Sequence, residues 1–194
     1  EPPEFDFREA KKKVMNAIAY RIMKCKSCPL YEGRKRAVPG DGNPDADIVF
    51  VGEAPGYEED KKGKPFVGRS GELLSQMINR VLSKRREDVF ITNVVRCKPP
   101  QNREPKEEEI NTCKGYLFDE IMVTRPRVVA ALGAPSAKTL IGIEEKITNL
   151  RGRFFDSKIY KVFVTFHPAY ILRNQNWREI FENDFKTLRD FLRG

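Results

Sequence analysis

The residues of this chain best suited to chemistry are few and easy to place. Four cysteines occur, Cys25, Cys28, Cys97 and Cys113. The first two form a C-x2-C pair and the others a second, wider pair. Four thiolates complete a tetrahedral zinc site or hold an iron–sulfur cluster, and spacing alone leaves both open. His167 is the single histidine of the chain, in Phe166-His167-Pro168-Ala169. Glu53 sits in Gly52-Glu53-Ala54-Pro55-Gly56, and Asn93 lies in the apolar run DVFITNVV. The stretch from Gly52 to Gly71 carries five glycines, which permit close backbone approach to a ligand. Within it Phe66 stands in polar surroundings, placed either to stack on a planar ligand or to anchor the loop in the core. No G-x-x-x-x-G-K-[ST] or G-x-G-x-x-G follows the first strand, and no G-x-S-x-G occurs. NTPase, dehydrogenase and serine-hydrolase chemistries are thereby disfavoured.

The elements that must position these residues follow from hydrophobic periodicity. Helices are predicted over 5–24, 69–84, 104–124, 134–141 and 177–192, and short apolar strands over 47–51, 88–95, 127–133 and 159–166. The regions 25–44 and 99–102 read as loops. Helices alternating with buried strands predict an α/β fold, a mainly parallel sheet with helices on both faces. Such sheets bind ligands beyond the carboxyl ends of their strands. Glu53, Asn93, Gly133-Ala134-Pro135-Ser136 and His167 all fall at those ends. A carboxylate, an amide and an imidazole are therefore expected to meet on one rim, whatever the fold's name.

Composition bounds the function further. The 194 residues suit one domain, 1–194, and 33% charged against 40% hydrophobic residues suits a globular chain rather than a disordered or membrane one. No apolar run is long enough to span a bilayer, and Glu1-Pro2-Pro3-Glu4-Phe5 contains no apolar signal core. The expectation is an intracellular protein of cytoplasm or nucleoid, without a membrane partner. The net charge of +8 suits a nucleic-acid partner, or the charge-rich surface of a heat-adapted protein.

Taken together these segments resemble the family-four uracil-DNA glycosylases, thermophilic-type enzymes with an iron–sulfur cluster. Gly52-Glu-Ala-Pro-Gly-Tyr-Glu-Glu-Asp60 with Gly63-Lys-Pro-Phe-Val-Gly-Arg-Ser-Gly71 is similar to their first motif. His167-Pro-Ala-Tyr-Ile-Leu-Arg173 is similar to the second, and Thr92-Asn93-Val94-Val95 to the strand that contacts uracil. The four cysteines match the family's cluster spacing, and the likeness runs from about Cys25 to the closing helix. It implies a three-layer α/β/α sandwich around a four-stranded mainly parallel sheet. It also implies a [4Fe–4S] cluster on Cys25, Cys28, Cys97 and Cys113, in a lobe built from 25–28 and 97–113.

The implied activity is hydrolysis of the N-glycosidic bond of deoxyuridine in DNA, by a monomer acting in base excision repair. His167 would stabilise the uracil anion, helped by backbone amides of the Gly52–Gly56 turn. Asn93 would read the base edge and Phe66 stack on its face. Gly52, Ala54, Pro55 and Gly56 would line the pocket, and Glu59 would fill the space of a thymine methyl. Better-known uracil glycosylases carry Gln then Asp in the first motif, where this chain has Glu53 then Ala54. Ala54 cannot be a base, which leaves Glu53 to place water or shield the sugar cation. Tyr170, Ile171, Leu172 and Arg173 read either as a wedge for the DNA groove or as a helix start packed on the core. The competing readings are a non-catalytic nucleic-acid-binding protein with structural zinc, and a related glycosylase for another base such as hypoxanthine.

Overall fold

Runs such as Ile48-Val-Phe-Val-Gly52 have no polar side to present to water, so they form central strands covered on both faces. The structure, a computed structural model, describes residues 4–194. Glu1, Pro2 and Pro3, on which part of the N-terminal reading rests, lie outside the described residues. In chain order the elements are α1 (Phe7–Lys24), α2 (Leu30–Gly33), β1 (Asp41–Gly42), β2 (Ile48–Gly52), α3 (Tyr57–Lys62), α4 (Arg69–Arg80), β3 (Phe90–Asn93) and α5 (Glu107–Thr124). There follow β4 (Val128–Leu132), α6 (Ala134–Ile141), α7 (Ile147–Leu150), β5 (Arg153–Asp156), β6 (Lys161–Thr165), α8 (Pro168–Arg173) and α9 (Arg178–Arg193).

The strands form one sheet in the order β1-β3-β2-β4-β6-β5. The four central strands are parallel, as in Gly52 opposite Asn93 and Leu132 opposite Thr165. The edge strands β1 and β5 are antiparallel. The expected four-stranded sheet is thus six-stranded and mixed among the described residues. The two additions carried little signal. β1 is two residues long, and Arg153-Phe-Phe-Asp156 pairs two adjacent apolar residues with no alternation.

Side-chain alternation along the strands makes two cores. Val49, Val51, Val129, Ala131, Val162 and Val164 face one layer, with Ile18 and Ile22 of α1, Leu117 and Ile121 of α5 and Ala137 of α6. Ile48, Phe50, Val128, Ala130 and Phe163 face the other, with Leu74 and Met77 of α4 and Phe181, Phe185 and Leu188 of α9. The α/β/α layering expected from the sequence is the observed one. Each of the Val, Ile, Leu, Met and Phe side chains among them contributes roughly 1.5–3 kcal/mol by leaving water.

Two buried polar ties fix the strand ends that matter below. Thr165, at the end of β6, donates to Asp184 Oδ2 on α9 at 2.7 Å, and Arg151 pairs with the same carboxylate. Beyond β3, Arg96 pairs with Glu120 of α5 at 2.6 Å while Thr92 donates to the same oxygen at 2.8 Å. Removing one partner of such a buried pair costs about 3–5 kcal/mol.

Candidate active site

The central strand order places β2 between β3 and β4, so the chain leaves β2 toward one side and enters β4 on the other. The loops after β2 and β4 consequently diverge and open a crevice at the carboxyl ends, where doubly wound sheets hold ligands. A cavity of about 550 Å³ fills that crevice, lined among others by Glu53, Glu59, Phe66, Asn93, Pro135 and His167. The carboxylate, amide and imidazole expected at one rim do meet there.

His167 follows β6 and forms the N-cap of α8. Its Nδ1 accepts the Ala169 N–H at 3.0 Å, so Nδ1 carries no hydrogen. The neutral ring must then carry its proton on Nε2, leaving a donor for the cavity. Burial, with the charge of Arg173 beside it, lowers the imidazole from 6.5 to about 4. The side chain is a neutral donor across the ordinary pH range. Phe66 lies against it, ring centroids 5.5 Å apart and 30° between planes.

Asn93 ends β3 in a fully buried position, and its Oδ1 has no hydrogen-bond partner. A buried amide oxygen left unpaired costs about 1–3 kcal/mol, an expense expected where a ligand supplies the missing donor. Gly52 does not itself line the cavity but makes room for it. A Cβ there would stand 2.5 Å from both Asn93 Oδ1 and the Phe66 ring. Phe66 is itself a buried member of the α4–α9 core, so both sequence readings of it hold: one edge anchors the loop and the ring walls the cavity.

Glu53 is half-buried and lines the cavity with Ala54, Pro55 and Gly56. Burial and the nearby Glu104 charge raise its carboxyl above the ordinary value. The turn that carries it is fastened to β3, since Val94 and Val95 N–H groups donate to the carbonyls of Gly52 and Glu53 at 2.9 and 3.0 Å. The expected amide donors of this turn are fewer than the sequence suggested. Pro55 has none and the Gly56 N–H is taken by Glu59 at 3.1 Å, which leaves only Glu53 and Ala54.

Glu59 lies in the first turn of α3, a helix not foreseen in the glycine-rich stretch. Its carboxylate also accepts the N–H groups of Val67 and Gly68 at 2.9 and 2.8 Å. Glu59 therefore stands as an immobile wall of the cavity and ties its two flanking segments together. In the second motif, Tyr170 and Arg173 line the cavity mouth, and Tyr170 stacks on Phe166 at 5.3 Å. Leu172 is half-buried, whereas Ile171 is fully buried in the core. Ile171 thus packs as a helix residue and is not part of a wedge. Sequence reasoning also passed over Ser70, Arg103, Glu104 and Ile147, which contribute to the lining. Polar residues in loops and short helices carry no periodicity that would single them out.

Cys25, Cys28, Cys97 and Cys113 line one small cavity among α1, the segment after β3 and α5. All four are free thiols, two of them buried. Arg34 donates to Cys97 Sγ at 3.2 Å and to the Cys25 carbonyl at 2.7 Å, setting a cation beside the sulfurs. Burial pushes the Cys113 thiol up to about 11. A metal would have to displace that proton on binding. The donor set, four thiols around one apolar cavity with a neighbouring cation, fits a thiolate-held group.

Residues 39–193 match the sequence model of the uracil DNA glycosylase superfamily. The chain is 46% identical over 185 residues to a type-4 uracil-DNA glycosylase of Sulfurisphaera tokodaii, covering 91% of this chain and 84% of the relative. It is 43% identical over 189 residues to the type-4 uracil-DNA glycosylase of Thermotoga maritima, covering 94% and 97%. The chain belongs to the type-4 uracil-DNA glycosylase family. A type-5 uracil-DNA glycosylase of Pyrobaculum aerophilum is more distant, 30% identical over 150 residues, with 69% and 66% covered. In this type-4 family member the first motif, β3 and the second motif converge on the cavity described above. No helix among the described residues is long and apolar enough to cross a membrane.

Proposed function

We infer that this chain hydrolyses the N-glycosidic bond between uracil and deoxyribose in DNA, releasing uracil and leaving an abasic site. The observation that carries the reading is the unpartnered Asn93 Oδ1 at the floor of a cavity walled by Phe66 and faced by a neutral His167. Uracil offers an N3–H donor beside an O4 acceptor. Asn93 answers both, with Oδ1 accepting from N3–H and Nδ2 donating to O4. Cytosine presents the opposite pair and leaves both amide atoms opposed. Phe66 stacks on the ring, and the pinned Glu59 occupies the space a C5-methyl group would need.

A duplex base must first leave its stack, at a cost of a few kcal/mol. Bond cleavage then puts negative charge on uracil and positive charge on the sugar. His167 Nε2–H donates to uracil O2 as its charge grows, and the low pKa means that it does so without carrying a charge of its own. Glu53 orients the attacking water or shields the cation, and DNA phosphates add to the shielding. Ala54 takes no part in proton transfer. Incubating the protein with a uracil-containing oligonucleotide and then alkali should yield strand scission at uracil. An intact strand under those conditions would overturn the reading.

Cys25, Cys28, Cys97 and Cys113 hold one [4Fe–4S] cluster in this reading. Among the described residues no three Cys, His, Asp or Glu close on a single-ion point. The cysteine spacing, similar to that of the iron–sulfur glycosylases, is what favours a cluster over a lone zinc ion. A bound cluster would tie the segment after α1, the segment after β3 and α5 together through these four thiols, and no step of the excision is routed through it. Protein prepared without oxygen should be brown, with about four irons per chain. Stoichiometric zinc without iron would refute this.

DNA is held as a monomer's single domain, 1–194, would hold it, largely through phosphates, given the +8 charge and the exposed Arg173 at the cavity mouth. Tyr170, Leu172 and Arg173 enter the groove, with Ile171 as their anchor in the core. Affinity plotted against salt on logarithmic axes should fall with a slope of several negative units. A flat plot would rule out an electrostatic grip.

A further inference from the structure

Phe66 is held in a backbone conformation that it would not adopt alone. Its φ is 49°, the left-handed region, which for a bulky aromatic residue persists only where surrounding structure enforces it. Packing enforces it only in part. Behind the loop the start of α4 touches the Phe66 backbone at Gly71, and beside that contact lies an open groove lined by Lys62, Val67, Ser75, Gln76 and Arg86.

What spans that gap is Arg86. Its guanidinium donates from Nη1 to the Phe66 carbonyl at 2.6 Å and from Nη2 to the Pro65 carbonyl. Arg86 opens the 3-10 turn Arg86–Asp88, whose own start is closed by Asp88 accepting the Arg85 N–H at 2.8 Å. That turn leads directly into β3, the strand that ends at Asn93. The clamp is planar and two-pronged, a geometry that a lysine ammonium cannot reproduce. The start of α4 is shaped to admit it. A Cβ at Gly71 would lie 2.0 Å from the Phe66 oxygen that Arg86 grips. Glu59 takes the N–H groups of Val67 and Gly68 from the opposite side, so the loop is pinned through its carbonyls and its amides at once.

We propose that Arg86 is a positioning residue for base stacking, setting the Phe66 ring against uracil by clamping the carbonyls of Pro65 and Phe66. This rests on the excision reading above. Among the described residues Arg86 makes no ion pair, and both its directed hydrogen bonds go to the stacking loop. Its function is therefore the placement of one ring. It follows that Arg86 and Phe66 act as one unit, and that losing either forfeits the same stacking contact.

The test is a double-mutant cycle on single-turnover excision with Arg86→Ala, Phe66→Ala and the double variant. Asn93→Ala paired with Arg86→Ala serves as the uncoupled control. Stacking of a base on an aromatic side chain corresponds to roughly 5- to 160-fold. Each single variant should lose within that range, and the double variant should lose no more than the larger single. Added guanidinium ion should recover several-fold of the Arg86→Ala loss and none of the Phe66→Ala loss. A residue that merely stabilised the fold would give multiplying losses and no rescue, and that pair of results would overturn the proposal. Should Arg86→Ala not fold, Arg86→Lys keeps the charge without the two-pronged clamp and carries the same cycle. An inactive parent protein would instead strike the excision reading, so the two failures are distinguishable.

Discussion

Replacing His167 with alanine should slow single-turnover excision by roughly 10²–10³-fold, about 2.7–4 kcal/mol, the usual consequence of removing one donor aimed at a developing anion. The same substitution removes the N-cap of α8, whose Ala169 N–H is held by Nδ1. Alanine at an N-cap costs about 1 kcal/mol of stability. His167→Asn separates the two effects, because its side-chain oxygen can cap the helix while no donor occupies the Nε2 position. It should match alanine in rate and the parent in stability. Glu53→Ala should lose less than His167→Ala, since Glu53 orients or shields rather than carrying the developing charge.

The pH dependence follows from the same environment. His167 titrates at about 4, below its ordinary 6.5, because burial and Arg173 oppose its charged form. The parent's excision rate should therefore show no inflection near 6.5 attributable to this ring. For stability the sign is equally definite. Between 6.5 and about 4 the unfolded chain binds a proton that the folded chain rejects. The stability owed to the neutral ring is complete above 6.5 and falls away as pH drops through 4. His167→Asn should flatten that part of the stability profile. An excision profile breaking near 6.5, or a His167→Ala enzyme within a few-fold of the parent beside an inactive Glu53→Ala, would replace this scheme with a carboxylate-driven one.

What the sequence disclosed about this molecule depended on whether a feature had a period. β2 and β4 are continuous apolar runs, β3 and β6 lie in mainly apolar ones, and α4 and α9 carry apolar stripes, so alternation alone implied the layered fold and the rim at the strand ends. Glu53, Asn93 and His167 were legible because they interrupt or end those runs. The edge strands and α3 were hidden because a two- to six-residue element has no repeat to detect. Ile171 illustrates the limit in the other direction. Between Tyr170 and Leu172 it reads either as part of a wedge or as a helix residue on the core, and only the turn of α8 decides for the core. Arg86 was invisible for a further reason, since a cation between lysines, arginines and acids in Lys84-Arg-Arg-Glu-Asp88 looks like solvated surface. Only the fold shows that its partners are two carbonyls twenty residues away.

The second large effect is expected at Asn93. Its Oδ1 is buried and unpaired, and its neighbours leave it no alternative partner. In Asn93→Leu a bound uracil would lose its partners for both N3–H and O4 inside a closed cavity. Each buried group left unsatisfied costs about 1–3 kcal/mol, so two amount to roughly 2–6 kcal/mol, some 30- to 10⁴-fold in excision. Leucine keeps the branching of asparagine but is larger, so the cost of fitting two methyl groups beside Gly52 is set against the relief of losing an unpaired oxygen, and the fold should survive. The contrast in size is the useful feature: excision collapses while the thermal midpoint moves little. Asn93→Asp adds discrimination, because an ionised carboxylate sets an acceptor against uracil O4 and should lose at least as much. Measured under single turnover beside a thermal melt, a Leu variant that keeps parental excision would show that the base edge is read elsewhere. A variant that loses excision and stability together would reduce Asn93 to a structural cap at the end of β3.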